Sequence, residues 1–182
     1  MVCKQPCNER LCTYGCLRDY EVMVRNLVYH IMRDTNEVDD IVQDVLLKTY
    51  QSMQTFRGGS FRAYLCTIAR NQCYDNLRKA RSRRSEHLSD TLVENLTSDE
   101  AGPEETAIRH DIVAQVKIVM AEMNQVDQEI MLLRHVHQFS YKEISAVVGM
   151  QEGAVRTRLS RARQRVLAEM ERRETHAAPD LG

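Results

Sequence analysis

The arginines near the end of the chain have the type and spacing that could bind nucleic acid. Residues 140–166 read SYKEISAVVGMQEGAVRTRLSRARQRV, an apolar segment that turns abruptly into one with an arginine at almost every second or third place. Guanidinium groups bind phosphates and the edge of guanine in a bidentate manner, so a row of them favours DNA contact. Arginine is also a good helix former, and an ordinary solvated helix is the alternative.

The residues before the arginines favour DNA binding. Ser140 and Glu143 have the spacing of a capping box, which predicts a short helix from that point. Gly149 can adopt the left-handed conformation that ends a helix, and a second helix should run from about Glu152 to about Arg172. The predicted inner face of this second helix consists of Val155, Leu159, Ala162 and Val166. Two helices joined by a short glycine turn form a helix-turn-helix, whose second helix lies in a DNA major groove.

A second set of residues with chemical potential lies at the N-terminus. It consists of Cys3, Cys7, Cys12 and Cys16. Four thiolates can hold zinc or an iron–sulfur cluster, although the usual zinc signature has two residues between paired cysteines and this chain has three. Reduced cysteines in a tail need no ligand, so a metal site and the absence of any cofactor both stay open. Cys66 and Cys73 are predicted to be core residues.

Composition limits the fold class and the function. The chain has 182 residues, 43% of them hydrophobic, with only 7 glycines and 3 prolines, which favours long helices. No apolar run approaches the length of a membrane span, and MVCKQPCNERLC lacks the apolar core of a signal peptide, so a cytoplasmic protein is expected. There is no phosphate-binding glycine loop, nucleophile elbow or metalloprotease motif, and we expect no enzymatic activity.

The net charge of −1 conceals an uneven distribution. Residues 62–84 hold seven basic side chains and one acid, and residues 152–173 hold seven arginines and three acids. Residues 85–111, between these blocks, hold eight acids and one arginine. Two basic blocks on either side of an acidic connector predict two DNA-contacting surfaces.

Apolar periodicity predicts three helices in the first half of the chain. The first begins at Leu17, and its inward residues are Tyr20, Met23, Val24, Leu27, Val28 and Ile31. The second is capped by Thr35 or Asn36, and its inward residues are Val38, Ile41, Val42, Val45, Leu46 and Tyr50. The loop FRGGSF leads to a third helix, capped by Ser60 and running from Phe61 to about Ala80. The inward residues of the third helix are Tyr64, Leu65, Ile68, Ala69, Cys73 and Leu77.

The second half is predicted to contain four helices. A helix runs from about Glu104 to Met123, a shorter one is capped by Asp127, and the helix-turn-helix follows. The acidic segment 85–107, with Gly102-Pro103, is typical of a flexible linker. The sequence thus predicts an all-α protein with two small helical domains, and no internal repeat is apparent. The predicted boundaries are a tail at 1–16, domains at 17–84 and 108–173, the linker at 85–107, and a tail at 174–182.

Two long segments together resemble a known family. DDIVQDVLLKTYQSMQTFRGGSFRAYLCTIARNQCYDNLRK and DQEIMLLRHVHQFSYKEISAVVGMQEGAVRTRLSRARQRV resemble the two modules of bacterial sigma factors of the extracytoplasmic-function group, the initiation subunits of RNA polymerase. The resemblance covers about residues 18–172. Tyr64 stands where the family usually has tryptophan, and tyrosine can still pack there. The resemblance implies a transcription initiation factor that directs core polymerase to promoters with specific −10 and −35 elements.

The resemblance also implies site residues in the first module. Those that dock on the clamp helices of the polymerase β′ subunit are Asp39, Asp40, Gln43 and Asp44. They lie beside apolar Ile41 and Val42, which suits a basic and partly apolar partner; a solvated acidic face is the alternative. The residues that melt and bind the −10 element are Phe56, Arg57, Ser60, Phe61, Arg62, Tyr64, Arg70, Asn71, Asp75 and Arg78. Core packing is the alternative role for Tyr64.

In the second module, the resemblance implies that Arg156, Thr157 and Arg161 read the −35 element. Arg158 and Arg163 are further DNA-binding candidates, although together with Arg165 they also suit helix packing or polymerase contact. The implied partners are core polymerase (through its β′ clamp helices and β flap), promoter DNA and an anti-sigma factor. The alternative function is that of a helix-turn-helix regulator that binds operators, with metal or redox sensing through the N-terminal cysteines.

Overall fold

The computed structural model describes residues 17–33, 37–86 and 115–177. Within these ranges every regular element is helical. The elements are α1 (Leu17–Met32), α2 (Val38–Ser52), a 3-10 turn (Met53–Thr55), α3 (Phe61–Glu86), a helical segment at 115–121 (α4), α5 (Gln125–His135), α6 (Tyr141–Val148) and α7 (Glu152–Ala177). The predicted all-α fold is therefore confirmed for the described part of the chain.

The first domain consists of α1, α2 and α3, packed around the predicted apolar stripes. Leu27 of α1, Val45 of α2 and Leu65 of α3 have no exposed surface, and Cys66 and Cys73 lie in the same core. Burial raises the pKa of both thiols to about 12, so they stay protonated and serve as small apolar side chains.

Three local predictions for the helices were wrong. Tyr50 is half exposed, and Thr49 takes the buried place one residue earlier, where its Oγ1 donates to the Val45 carbonyl at 2.7 Å. Glu37 is the N-cap of α2, rather than either of the two residues before it. Asn124 caps α5 by accepting from the Asp127 backbone N–H at 3.0 Å, so the predicted cap is a first-turn residue instead.

The third helix is also longer than predicted. It continues beyond Ala80 to Glu86, because the segment contains only residues that tolerate a helix and no glycine or proline. The predicted start of the helix near Glu104, most of the acidic linker and the four N-terminal cysteines lie outside the described residues. Zinc analysis, together with an absorption spectrum for an iron–sulfur cluster, of protein purified under reducing, anaerobic conditions distinguishes a metal site from free thiols at those cysteines.

The second domain consists of α4 to α7. Its core centres on Ile130, Leu133, Phe139, Ile144 and Leu159, each of which is at most 1% exposed. None of the helices at 17–33, 37–86 or 115–177 combines the length and the apolar character needed to cross a membrane.

The two domains pack against each other, which the sequence did not predict. Helix α3 contacts α6, and α1 contacts α5, so that the buried residues of both domains form one continuous core. Arg33 donates to the Gln128 side chain at 3.1 Å, and Gln125 donates to the carbonyls of His30 and Ile31 at 3.3 Å. The contact between α3 and α6 includes the predicted −10 residue Arg62, which binds Glu143.

Candidate nucleic-acid interface

The predicted helix-turn-helix is confirmed in detail. The Glu143 backbone N–H donates to Ser140 Oγ at 3.2 Å, and the Ser140 N–H donates to Glu143 Oε2 at 2.8 Å, which completes the capping box. Gly149 has φ of 70°, in the left-handed region that glycine adopts without strain, and it ends α6. Helix α7 then begins at Glu152.

The recognition helix, α7, buries its predicted inner residues and exposes most of its arginines. Arg156 is exposed, pairs with Glu152 one turn earlier, and lies 4.6 Å above the ring of Tyr141. The exposed Thr157 donates to the Gly153 carbonyl at 3.0 Å, and Arg161 is exposed one turn further along the helix. The three residues implied to read the −35 element thus lie on the accessible side of α7.

Three other arginines of α7 contact neighbouring elements of the second domain. Arg158 is half buried and binds Asp127 of α5 at 2.8 Å. The Arg163 Nε donates to His135 Nε2 at 3.2 Å, and Arg165 pairs with Glu122 at 3.4 Å. These contacts hold Arg158 against α5 and leave Arg163 and Arg165 at the exposed edge of the helix, and DNA binding by these arginines stays a prediction.

The loop before α3 is held at its base by an aromatic cluster. Gly58 and Gly59 have φ of 105° and 98°, a conformation that other residues rarely adopt. Phe61 is 5% exposed and lies 5.3 Å from Tyr20 and 5.6 Å from Phe56 between ring centroids. The loop therefore projects from a fixed base, and the buried ring of Phe61 supports it.

Two predicted −10 residues next to this base differ in their surroundings. The ring of Tyr64 lies 4.9 Å from that of Phe56, and its hydroxyl donates to Ser52 Oγ at 2.8 Å. Tyr64 is therefore engaged in packing, as its alternative role required. Arg57, at the tip of the loop, is exposed.

Four of the predicted −10 residues of α3 line one groove of about 550 Å³, together with Tyr74, which was not predicted from the sequence. The residues are Arg70, Asn71, Tyr74, Asp75 and Arg78. The Arg70 guanidinium lies 4.6 Å from the Tyr74 ring. Because Tyr74 follows Arg70 by four residues and precedes Arg78 by four, helical spacing alone could have placed it there. Cations around an aromatic ring suit a single strand whose bases stack and whose phosphates need neutralising.

Two carboxylates of the second domain reach these −10 residues. Glu143 binds Ser60 and Arg62, and Glu129 binds Arg70 and Tyr74. Glu143 was identified from the sequence only as a capping residue, and Glu129 was not identified. The partners are 55 to 83 residues apart in the chain, so no local pattern could have revealed them.

The acidic face of α2 is exposed as predicted, but the apolar side chains beside it are not the predicted ones. Asp39, Asp40, Gln43 and Asp44 are all exposed, and Asp39 pairs with Arg25 of α1. Ile41 and Val42 are at most 2% exposed and belong to the domain core, so they cannot contact a partner. Leu47 and Tyr50, 56% and 50% exposed, are the apolar side chains that α2 presents to solvent.

A half-buried histidine at the contact between the domains predicts a pH dependence. The Nε2 of His30 is buried and has no hydrogen-bond partner among the residues that the structure describes. Burial, followed by the nearby Arg33, lowers the pKa of His30 from 6.5 to about 4. At a pH between 6.5 and about 4, His30 is protonated in the unfolded chain and neutral in the folded protein. The contribution of His30 to the free energy of unfolding should therefore fall by about 2 kcal/mol from roughly pH 7.5 to about pH 5.

Urea unfolding of the full chain and of a His30→Gln variant at the two pH values tests this prediction. The variant should lose less stability on acidification than the wild type. Glu143 does not confuse the comparison, because hydrogen bonding from Arg62 holds its pKa below its usual range. Equal losses of stability in the wild type and the variant would show that His30 does not cause the pH dependence.

Comparison with known families identifies both domains. Residues 16–83 match the family model described as Sigma-70 region 2, and residues 118–166 match Sigma-70, region 4. The first match covers the first domain, which contains the groove, and the second match covers most of the second domain, which contains the helix-turn-helix. The segments that match the family models thus include the residues of the groove and of the helix-turn-helix.

Individual relatives and a solved structure agree with the family models. The ECF RNA polymerase sigma factor SigD of Mycobacterium tuberculosis is 34% identical over 142 residues, which cover 77% of this chain and 66% of SigD, slightly less than two thirds of its length. The RNA polymerase sigma factor CnrH of Cupriavidus metallidurans is 30% identical over 72% of each chain. The sigma factor RpoE from Bartonella quintana, solved in complex with the anti-sigma factor NepR, superposes with a TM-score of 0.70 at 25% identity, covering 85% of this chain and 94% of RpoE. The chain therefore belongs to the sigma-70 family of bacterial RNA polymerase sigma factors, in its extracytoplasmic-function group.

Proposed function

We propose that this protein is a transcription initiation factor that binds core RNA polymerase and directs it to promoters through their −10 and −35 elements. The observation that carries the proposal is the presence of three distinct surfaces on one chain. These are the exposed acidic face of α2, the basic groove of α3 with its projecting loop, and the arginine face of α7. An operator-binding regulator would need only the last of them.

Each surface fits one part of the proposed role. The acidic face, with Leu47 and Tyr50 beside it, suits the basic and partly apolar clamp helices of the β′ subunit. The groove suits a separated −10 strand, and α7 suits the major groove of the −35 duplex. The second domain also corresponds to the module that binds the β flap in the family, and it should bind there in this protein. The role consists of binding and positioning, and the chemical step belongs to the polymerase.

We infer two further properties from the family. An anti-sigma factor should bind this chain, since RpoE is found in complex with NepR. A factor that works with RNA polymerase on chromosomal DNA acts in the cytoplasm.

DNA binding with and without core polymerase tests the proposed function against the operator-binding alternative. Labelled duplexes from a promoter library are titrated with the protein alone and with its complex with core enzyme. We expect sequence-specific binding only with core enzyme. Tight, sequence-specific binding by the protein alone, unchanged by core enzyme, would favour the regulator.

Charge reversal on the acidic face is expected to weaken polymerase binding. Asp40→Lys with Asp44→Lys exchanges two exposed carboxylates for cations that repel a basic partner, so affinity for core enzyme should fall by about tenfold or more. Both side chains point to solvent, and circular dichroism should therefore show an unchanged helical content.

The matched control is Asp19→Lys with Glu171→Lys, which makes the same change in net charge at exposed positions on α1 and α7. Core affinity, measured by co-purification and by titration of labelled protein, should stay near the wild-type value in the control. Equal affinity for core polymerase in the two double variants would show that α2 is not part of the docking surface.

A further inference from the structure

One aromatic side chain of the helix-turn-helix contacts a cation on the recognition helix. Tyr141 is the first residue of α6, directly after the capping residue Ser140. The guanidinium of Arg156, in the second turn of α7, lies over the Tyr141 ring at 4.6 Å from its centroid. Arg156 is implied to read the −35 element, whereas the sequence predicted no role for Tyr141.

The ring of Tyr141 is held in place by its own domain. Its backbone begins a helix with a complete capping box, formed by Ser140 and Glu143. The side chain is half buried and packs against the core. A second guanidinium, that of Arg134 in α5, lies over the ring at 4.9 Å, and it is anchored because its Nη1 donates to the Phe139 carbonyl at 2.7 Å. The ring therefore has a defined position before DNA binds.

The side chain of Arg156 benefits from such a fixed neighbour. It is 60% exposed. An exposed arginine has many rotamers, and a base contact in one geometry has to overcome the entropy of the others. Contact with the ring restricts the guanidinium in advance, so less entropy is lost when the base contact forms.

The ring and a base can use different parts of the guanidinium. A planar guanidinium can contact an aromatic ring through its face, whereas its N–H donors lie in its plane and point outward. A bidentate contact with guanine uses two of those donors. Glu152, by contrast, binds Arg156 through Nη2, which is one of the donors that could bind a base. The contact with the ring can therefore persist in a DNA complex, whereas the pair with Glu152 competes with the base.

The other two predicted readers of the −35 element are supported differently. Thr157 donates to the Gly153 carbonyl of its own helix at 3.0 Å. Within the described part of the chain, Arg161 contacts neither a ring nor a carboxylate. Support by an aromatic ring thus distinguishes Arg156 from its neighbours on α7.

We propose that Tyr141 is the positioning residue that sets the selectivity of Arg156. Its ring holds the guanidinium in the orientation that binds one base of the −35 element, and Tyr141 itself does not contact the base. The inference rests on the proposed function for the identity of the DNA element.

Removal of the ring in the full chain tests the proposal. Tyr141→Leu replaces the ring by an apolar side chain, and Tyr141→Phe keeps the ring and removes only the hydroxyl. Each protein, in complex with core polymerase, is titrated with a labelled promoter from the library and with the same promoter whose −35 element is scrambled. The ratio of the two affinities measures the discrimination that the variant retains.

We expect Tyr141→Leu to reduce discrimination about two- to fivefold, the effect of losing one exposed cation–π contact. Tyr141→Phe should discriminate nearly as well as the wild type, because phenylalanine also binds a cation through the face of its ring. Urea unfolding and affinity for core polymerase are measured on the same proteins to confirm that they are folded. The matched control is Tyr29→Leu, which replaces a tyrosine of α1 that is 39% exposed and should leave discrimination unchanged.

Double-variant cycles connect the ring to one particular arginine. In the Arg156→Ala background, Tyr141→Leu should cause no further loss of discrimination, because the group that Tyr141 positions is absent. In the Arg161→Ala background, Tyr141→Leu should cause its full loss. A direct contact between Tyr141 and a base would give the same loss in both backgrounds.

The inference is overturned if Tyr141→Leu discriminates as well as the wild type, or if its loss persists in the Arg156→Ala background. It is also overturned if Tyr141→Phe weakens binding to both promoters as much as Tyr141→Leu does, since the hydroxyl would then bind a phosphate. Tyr141→Met, with an unbranched side chain that favours helix, serves if the leucine variant does not fold.

The wild-type complex separates this inference from the proposed function. A wild-type complex that binds both promoters equally refutes the proposed function. A wild-type complex that discriminates, together with an equally selective Tyr141→Leu variant, refutes only the role of Tyr141.

Discussion

Arg156→Ala and Arg161→Ala should each weaken promoter binding by the polymerase complex by about 1–3 kcal/mol per lost base contact. This corresponds to a loss of affinity of roughly 5- to 150-fold. Both side chains are exposed on α7, and Arg156 is steadied by Glu152 and by the ring of Tyr141. The loss should depend on sequence, because base contacts discriminate between promoters whereas phosphate contacts do not.

The comparison uses one promoter with an intact −35 element and one with that element altered. Wild-type protein should discriminate between them, and each alanine variant should discriminate less. Arg172→Ala is the control, because it removes the same charge near the far end of α7, where Arg172 pairs with Glu169. Unchanged discrimination in both variants would show that these arginines do not read the −35 element.

Phe139→Ala is expected to destabilise the second domain by about 3–5 kcal/mol, the usual cost of removing a buried aromatic ring. Phe139 is fully buried just before the capping box, and its backbone N–H donates to the Leu133 carbonyl at 2.9 Å. The backbone carbonyl of Phe139 accepts from Arg134 at 2.7 Å. The ring thus lies where α5 meets the helix-turn-helix, and a cavity there loosens the contact between them.

Urea unfolding followed by circular dichroism measures this effect. Val136→Ala is the control, since Val136 lies in the same turn but is 59% exposed, and a surface truncation usually changes stability by no more than about 0.5 kcal/mol. Equal stability of the two variants would contradict the placement of Phe139 in the core.

Local patterns were sufficient to predict the helix-turn-helix. The capping box of Ser140 and Glu143, the glycine turn at Gly149 and the inner residues of α7 each depend on positions a few residues apart. The same holds for the exposed acidic residues of α2. The errors were also local and had definite causes: Thr49 can be buried because its hydroxyl is satisfied within its own helix. Asn124 could cap α5 one turn before the predicted residue.

The contact between the domains could not be predicted from the sequence. Glu129 appears in the sequence as an ordinary charged residue of a helix, and only the fold places it against Arg70 and Tyr74. The same is true of Glu143, whose capping role conceals its contact with Arg62. Pairing of this kind depends on how two finished domains meet, which helical periodicity does not encode.

Transcription in vitro tests most directly whether this protein directs core polymerase to promoters. Core RNA polymerase is supplied with a promoter library, with and without this protein, and the start sites are sequenced. We expect new transcripts only when the protein is present, from promoters that share sequence around −10 and −35. These transcripts should be strongly reduced with the Asp40→Lys, Asp44→Lys variant, whose affinity for core polymerase is lower. If the folded protein leaves the start sites of core polymerase unchanged on every promoter, it is not an initiation factor.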